Sequence, residues 1–221
     1  DDTEAQDFID HLLQRLQLPS NALIQDLACG TGRHSIYLNS LGYNTVGLDL
    51  SQNNIKIAKE SENSNLHFEV HDMRELYIKN HFDAILNLFT SFGYFSDISD
   101  NIKVIKSVYA GLKPNGYFVI DYLNSDLVLQ SLPSKEIKSI DGYQFEIYKS
   151  INNNRIEKEI TIQREGRKMQ YTESVYAFRE KELCRMIEEN GFKIHACYGN
   201  YRLDSYDSKK SQRMIVLAKK A

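Results

Sequence analysis

Apolar and polar positions along this chain fall into two textures, and the change between them comes near residue 124. Before it, short apolar runs alternate with segments at helical spacing. Thr3-Glu4-Ala5-Gln6 has the form of a capping box and opens a helix whose apolar face is Phe8, Leu12, Leu13 and Leu16. Ala22-Leu23-Ile24 begins a buried strand, and Ile36, Leu38 and Leu41 set among polar residues predict an amphipathic helix that ends at Gly42. Residues 43–50 read as a second strand, after which Ser51 is placed to cap a helix carrying Ile55 and Ala58 on one face. Residues 66–73 and 82–89 read as the third and fourth strands. Leu112-Lys113-Pro114-Asn115-Gly116 is a turn leading into a fifth strand, Tyr117-Phe118-Val119-Ile120-Asp121. Strand and helix in alternation predict an α/β fold with a doubly wound, mostly parallel sheet covered on both faces.

After Asn124 the period shortens to two. Residues 143–148 and 156–162 alternate apolar and polar and 169–178 supply a third extended run, with turns at Asn152-Asn153-Asn154 and Arg164-Glu165-Gly166-Arg167, which predicts a three-strand antiparallel meander. A helix over 179–189 stops at Gly191, and residues 192–198 and 213–218 read as a closing pair of strands. The expected division is a core over 1–124, an antiparallel β insertion over 125–178, and a return to the core over 179–221.

The chemistry concentrates in Asp26-Leu27-Ala28-Cys29-Gly30-Thr31-Gly32-Arg33-His34-Ser35. Gly30 and Gly32 allow positive φ and a close approach by a ligand. The helix beyond them aims free N–H groups and its positive dipole end at the same place. A dinucleotide fingerprint needs a third glycine where this chain has Ser35, and Asp26 beside the turn would repel a pyrophosphate. That counts against an NAD- or FAD-binding oxidoreductase. The carboxylate suits a ligand carrying an ammonium and a sulfonium, or else merely caps the helix. Asp49 closes the second strand roughly 20 residues on, where Rossmann-like folds place the carboxylate that grips a ribose diol; without a ligand it would cap the following helix. Asp72 at the end of the third strand is open to a turn-making reading in the same way.

Asp-x-Ala-x-Gly-x-Gly after a first strand resembles the S-adenosylmethionine (SAM) site of class I, Rossmann-like methyltransferases. The acid at Asp49, the third-strand Asp72, the fourth strand running into Asn87-Leu88-Phe89-Thr90-Ser91-Phe92-Gly93-Tyr94-Phe95, and the Leu-Lys-Pro-x-Gly turn follow in the family's order. The closest likeness is to small single-domain bacterial members. The resemblance implies a seven-stranded sheet whose last strand runs antiparallel, and a segment ahead of the first helix that helps close the site. It implies SAM as methyl donor and S-adenosylhomocysteine as product. It also implies a cofactor lined by Asp26, Ala28, Cys29, Gly30, Thr31, Gly32 and His34 from the first loop. Asp49, Leu50, Asp72 and Met73 follow from the next two strands, and Asn87, Leu88 and Phe89 from the fourth. An acid like Asp72 accepts from the adenine amino group in this family. Thr90, Ser91, Tyr94 and Asn124 are the candidates for touching the acceptor. Tyr94 is the sole, weak candidate for a catalytic role, and no general base is assigned.

Composition narrows the acceptor. The formal net charge is −3 over 221 residues, with no basic cluster beyond Lys209-Lys210 and Lys219-Lys220, against the positive face that a nucleic-acid footprint needs. The fourth-strand motif Asn-Leu-Phe-Thr also differs from the Asn/Asp-Pro-Pro-Tyr of base-amino methyltransferases. No run of about 18 apolar residues is present to span a bilayer, and no secretory leader is legible. Three widely spaced cysteines, Cys29, Cys184 and Cys197, read as reduced thiols in a cytoplasmic protein. His67 and His71 would lie about 13 Å apart along a strand, too far to share a metal, so no metal is expected. The reading is a methyltransferase acting on a small molecule, monomeric or homodimeric, with the insertion roofing the acceptor. An RNA or protein acceptor and a non-catalytic SAM-binding module are the alternatives.

Overall fold

The computed structural model describes residues 2–221. In chain order the first half comprises α1 (Asp2–Leu16), β1 (Leu23–Leu27), α2 (Arg33–Ser40), β2 (Asn44–Asp49), α3 (Gln52–Ala58), β3 (Leu66–Val70), β4 (Phe82–Asn87), α4 (Ile98–Gly111) and β5 (Leu112–Leu123). Then come α5 (Ser125–Gln130), β6 (Ser134–Ile140), β7 (Tyr143–Asn152), β8 (Arg155–Arg164), β9 (Arg167–Tyr176), α6 (Glu180–Glu188), β10 (Phe192–Tyr198) and β11 (Arg213–Lys220). One sheet has seven strands in the order β10-β11-β5-β4-β1-β2-β3. β1 to β5 are parallel, and β11 runs antiparallel to both β5 and β10.

Successive strand residues point to opposite faces, and two cores form accordingly. On one face Phe8, Ile9 and Leu12 of α1 meet Ile24, Leu86, Val119 and Ile215. On the other, Val104 and Ile105 of α4 with Leu183 and Ile187 of α6 cover Ile85, Phe118, Ile120 and Val216. The central strands are apolar on both sides because both sides are covered, which is why they read as continuous runs. Their C-terminal ends deliver Asp26, Asp49, Asn87 and Asp121 to one edge.

Three details differ from the sequence expectations. Thr3 stands inside α1, which already begins at Asp2, and is not its cap. The Leu-Lys-Pro-Asn-Gly segment is a bulge within β5 and does not precede it. Pairing with β4 skips from Leu112 to Tyr117, with Asn115 at φ 65° at the tip. The meander has four strands, β6-β7-β8-β9, and not three. β6 hid from the pattern because six of its seven residues are exposed and two are lysines, so no apolar alternation marks it; a lysine-bearing edge strand is protected against adding another chain. This second sheet pairs with no strand of the first. It docks through Ile156, Val175 and Ala177 packed on Leu123 and on Val128, Leu129 and Leu132 in and just after α5. Arg155 adds hydrogen bonds to the Tyr94 and Phe95 carbonyls at 3.1 and 2.8 Å.

Candidate active site

The loop from β1 to α2 turns by three left-handed residues, Ala28 (φ 66°), Gly30 (φ 58°) and Gly32 (φ 86°). Gly32 is required twice over, since a Cβ there would lie 2.6 Å from the Phe68 ring. Ala28 carries strain that glycine would not; its N–H and that of Cys29 are held by the Leu48 carbonyl at 2.8 and 3.0 Å. Asp26 is fully buried, and its carboxylate accepts the Ser35 hydroxyl at 2.6 Å and the Ser35 backbone N–H in the first turn of α2. It therefore performs the capping task that sequence left as one of its readings. Burial pushes its pKa up to about 6, against the opposing effect of the Ser35 hydrogen bonds.

Asp49 stitches two segments together. One oxygen accepts the Gly30 N–H at 2.9 Å, and the other accepts the Ser51 N–H at 2.8 Å. The second of these, Oδ1, also accepts the Asn54 amide at 3.5 Å, which leaves the further lone pair on Oδ2. Ser51 caps α3 as expected, its hydroxyl accepting the Asn54 N–H at 3.3 Å. Asp49, Leu50, Asp72 and Met73, with Ala28 and Phe95, line a small cavity of ≈ 90 Å³. Leu50 is 67% exposed at its rim. Asp72 is gripped by Arg74, whose guanidinium reaches it at 2.6 Å, bridges to Asp100 at 3.0 Å and lies 4.9 Å from the Phe95 ring centre. The Arg74 hydrogen bonds hold the Asp72 carboxyl below its ordinary pKa. Cys29 is buried and its thiol pKa is raised by burial and by Asp26 and Asp49, which leaves it protonated. Thr31 is exposed.

At the end of β4, Asn87 donates to the Leu27 carbonyl at 2.9 Å, while its own buried Oδ1 has no partner among the described residues. Leu88 belongs to the α1-side core. Phe89 and Thr90 are two successive non-glycine residues in the left-handed region, φ 57° and 60°. Such backbone persists only where its surroundings over-determine it, and here Asp121 does so. Its carboxylate accepts the Phe89 N–H at 2.9 Å, and its carbonyl accepts the Thr90 N–H at 3.0 Å. Arg213 then binds Asp121 at 2.8 Å and the Thr90 hydroxyl at 2.8 Å. The Phe89 ring stacks on His34, 4.6 Å between centres, with Phe8 and Tyr201 against it.

A second cavity, ≈ 260 Å³, lies between this edge and the four-stranded sheet. Thr90, Tyr94, Leu123 and Arg213 form one side, and Lys149, Ile156, Lys158, Glu173 and Val175 the other. Tyr94 is 48% exposed, and its hydroxyl pKa is raised by burial and by Glu173. Two expected acceptor contacts fall outside. Ser91 donates to the Leu88 carbonyl at 2.9 Å. Asn124 is wholly buried, donating to the Ser208 and Ser211 carbonyls and accepting the Tyr206 hydroxyl, so its amide is spent on holding the loop before β11. Arg213 and the lysines of β7 and β8 were not anticipated; nothing local in sequence marks residues that meet only through long-range register. No group of three His, Cys, Asp or Glu among the described residues is placed to hold a metal ion, and no described helix is long and apolar enough to cross a membrane.

Residues 24–116 match the family model of a methyltransferase domain. The chain is 27% identical over 217 residues to the Bacillus subtilis (strain 168) protein named "Putative methyltransferase YqeM", covering 92% of this chain and 86% of that one. The Streptomyces venezuelae dTDP-3-amino-3,4,6-trideoxy-alpha-D-glucopyranose N,N-dimethyltransferase is 31% identical over 119 residues, 53% of this chain and 48% of that relative. A SAM-dependent methyltransferase from Clostridium acetobutylicum ATCC 824 superposes with a TM-score of 0.86 at 22% identity, over 100% of this chain and 92% of the other. The chain thus carries a stretch that matches a methyltransferase domain and shares the fold of SAM-dependent methyltransferases. Within that fold the chain has both antiparallel partners of β11, and it sets its four-stranded sheet over the edge where β4 and β5 end.

Proposed function

We propose that this methyltransferase acts on a small molecule seated in the ≈ 260 Å³ cavity, with SAM held along the C-terminal ends of β1 to β4. The observation that carries the acceptor assignment is that cavity's two-sided wall. Loop residues of this edge face apolar residues of the insertion, in a space just below the usual range of small-molecule pockets and so suited to a small acceptor. Relatives that methylate an amino-sugar nucleotide, or glycine and sarcosine, support it.

The residues fit the cofactor. Asp49 has a lone pair on Oδ2 for a ribose hydroxyl, Asp26 has negative charge for a cationic ligand, and the buried Asn87 Oδ1 is an acceptor in want of a donor. Met73, Leu50 and Phe95 supply apolar surface for adenine. When bound, SAM supplies an activated methyl group that needs only an aligned nucleophile. The protein's share is then to hold the acceptor in line and exclude water. Thr90 and Tyr94 are placed for the first task, and Ile156, Val175 and Leu123 for the second.

Filling the cavity tests the assignment. Val128→Phe should raise the KM of any small acceptor at least about tenfold, roughly the weight of a lost apolar pocket contact. The thermal stabilisation by S-adenosylhomocysteine should stay as in the parent. Unchanged turnover would place the acceptor elsewhere. A salt-dependent complex with tRNA or rRNA would shift the reading to a nucleic-acid substrate.

The cofactor half makes a pH prediction. A cationic ligand favours ionised Asp26, so its pKa falls on binding. SAM affinity should then be flat above about pH 6, where Asp26 is ionised even in the free protein. Below that value it should weaken, by at most about tenfold per pH unit. Titration calorimetry from pH 5 to 8 reads this directly, and a flat profile would remove Asp26 from the ligand's field.

A further inference from the structure

The cavity carries an electrostatic imbalance that its apolar lining does not explain. Lys149 of β7 and Lys158 of β8 are directly opposed in the antiparallel register, and Lys158 is in turn opposite Glu173 of β9. The three side chains form one row across the sheet, two positions along from Ile156 and Val175 and on the same face, which is the face that closes the cavity. Like charges placed directly opposite destabilise a sheet. Glu173 relieves only one of them, reaching the Lys158 ammonium at 3.1 Å. Lys149 is only half-buried, lines the cavity, and makes no ion pair among the described residues. Arg213 on the opposite wall is already spent on Asp121 at 2.8 Å. Three cations thus meet two carboxylates, and the surplus positive charge sits beside the apolar surface of Leu123, Val128, Ile156 and Val175, with Thr90 and Tyr94 completing the lining.

We propose that the acceptor is an amphipathic anion. Its carboxylate or phosphate is taken by Lys149 with Lys158, and its apolar body lies on Leu123, Val128, Ile156 and Val175. This rests on the reading of the ≈ 260 Å³ cavity as the acceptor site and gives that site a substrate class. The two-lysine row neutralises the anion. Glu173 limits the attraction to one net charge, and Thr90 and Tyr94 lie on the side from which the methyl would arrive. A solvated strand face would set such lysines on the opposite side of the sheet, with Glu157 and Glu159, where no wall faces them.

Titration calorimetry with inorganic pyrophosphate and with succinate, on the full chain holding S-adenosylhomocysteine, tests the inference and separates the phosphate from the carboxylate source. At least one should bind, more weakly as salt is raised, and Lys149→Met should weaken it about five- to tenfold, the loss of one charge-assisted contact. Arg164→Met, which removes a cation outside the cavity, should change nothing. Absence of binding by both anions, or equal binding by parent and Lys149→Met, overturns the proposal. If the anion binds through Lys149 while Val128→Phe leaves methyl transfer untouched, the anion site stands and the acceptor reading of the cavity falls. If Val128→Phe blocks transfer but acids and their neutral amides are methylated alike, the acceptor reading stands and the anion is wrong.

Discussion

Arg213→Met should lower the stability of the protein by about 3–5 kcal/mol, the usual cost of stranding one member of a buried ion pair. The partner it would strand is Asp121, whose side chain is completely inaccessible while Arg213 is 20% exposed. Burial already raises the Asp121 pKa even with the guanidinium beside it, and removing Arg213 raises it further. The sign follows from linkage. A carboxyl whose folded pKa lies above its unfolded value binds its proton more tightly when folded. The variant's deficit should therefore be full above the raised folded pKa and shrink as pH falls toward about 4, the unfolded value. Chemical denaturation at pH 4.5 and 7.5 checks both the size and the sign, and an equal deficit at the two would mean that Asp121 is not the cause. Adding Asp121→Asn should recover part of the loss, because no buried charge is then left over. It should not recover methyl transfer, since Arg213 would no longer bind the Thr90 hydroxyl.

Asp49→Ala should weaken SAM binding by about 1.5–3 kcal/mol, roughly ten- to 150-fold, as expected for a lost hydrogen-bonded charge. Beyond the proposed ribose contact, the carboxylate has a structural task. It ties the Gly30 and Ser51 N–H groups, so its removal frees the glycine turn from the second strand. Asp49→Asn separates these contributions. An amide keeps the volume and one acceptor oxygen but turns an N–H₂ toward one of the two backbone donors, so its loss should fall below that of alanine only if the second oxygen matters little. Unchanged affinity in both variants would detach Asp49 from the cofactor.

The parts of this fold that were legible in sequence are those governed by local chemistry. Gly30 and Gly32 announce a turn, Ser51 announces a cap, and the buried strands β1, β2 and β4 announce themselves as apolar runs of the right length. β6 did not, because Ser134 to Ile140 has an exposed face on both sides and no period to detect. The same limit applies to the site. Asp26 and Asp49 lie beside their own glycines, whereas Asp121 and Arg213 come from strands that the insertion separates in sequence. Lys149, Lys158 and Glu173 align only once the register of β7, β8 and β9 is known. Arg74 is a different case. It lies two residues from Asp72, yet its grip on that carboxylate depends on the Asp100 and Phe95 positions, which sequence does not supply.

The two sheets share no hydrogen-bonded strand, and that separation bears on how this scaffold changes over evolution. Register within a sheet couples every strand to its neighbours, so a shift in β1 or β4 would disturb the glycine turn and the Asp121 clamp together. The four-stranded sheet has no such ladder to the first and is joined to the rest through a small apolar patch, Arg155, and the hydrogen bonds of Tyr176 to Gly93, Ser96 and Tyr122. Side chains at alternate positions of its inner face can therefore be exchanged without disturbing the ladder that holds the glycine turn and the Asp121 clamp. A lineage of such enzymes could diversify its chemistry by rewriting a few alternate positions on β7, β8 and β9.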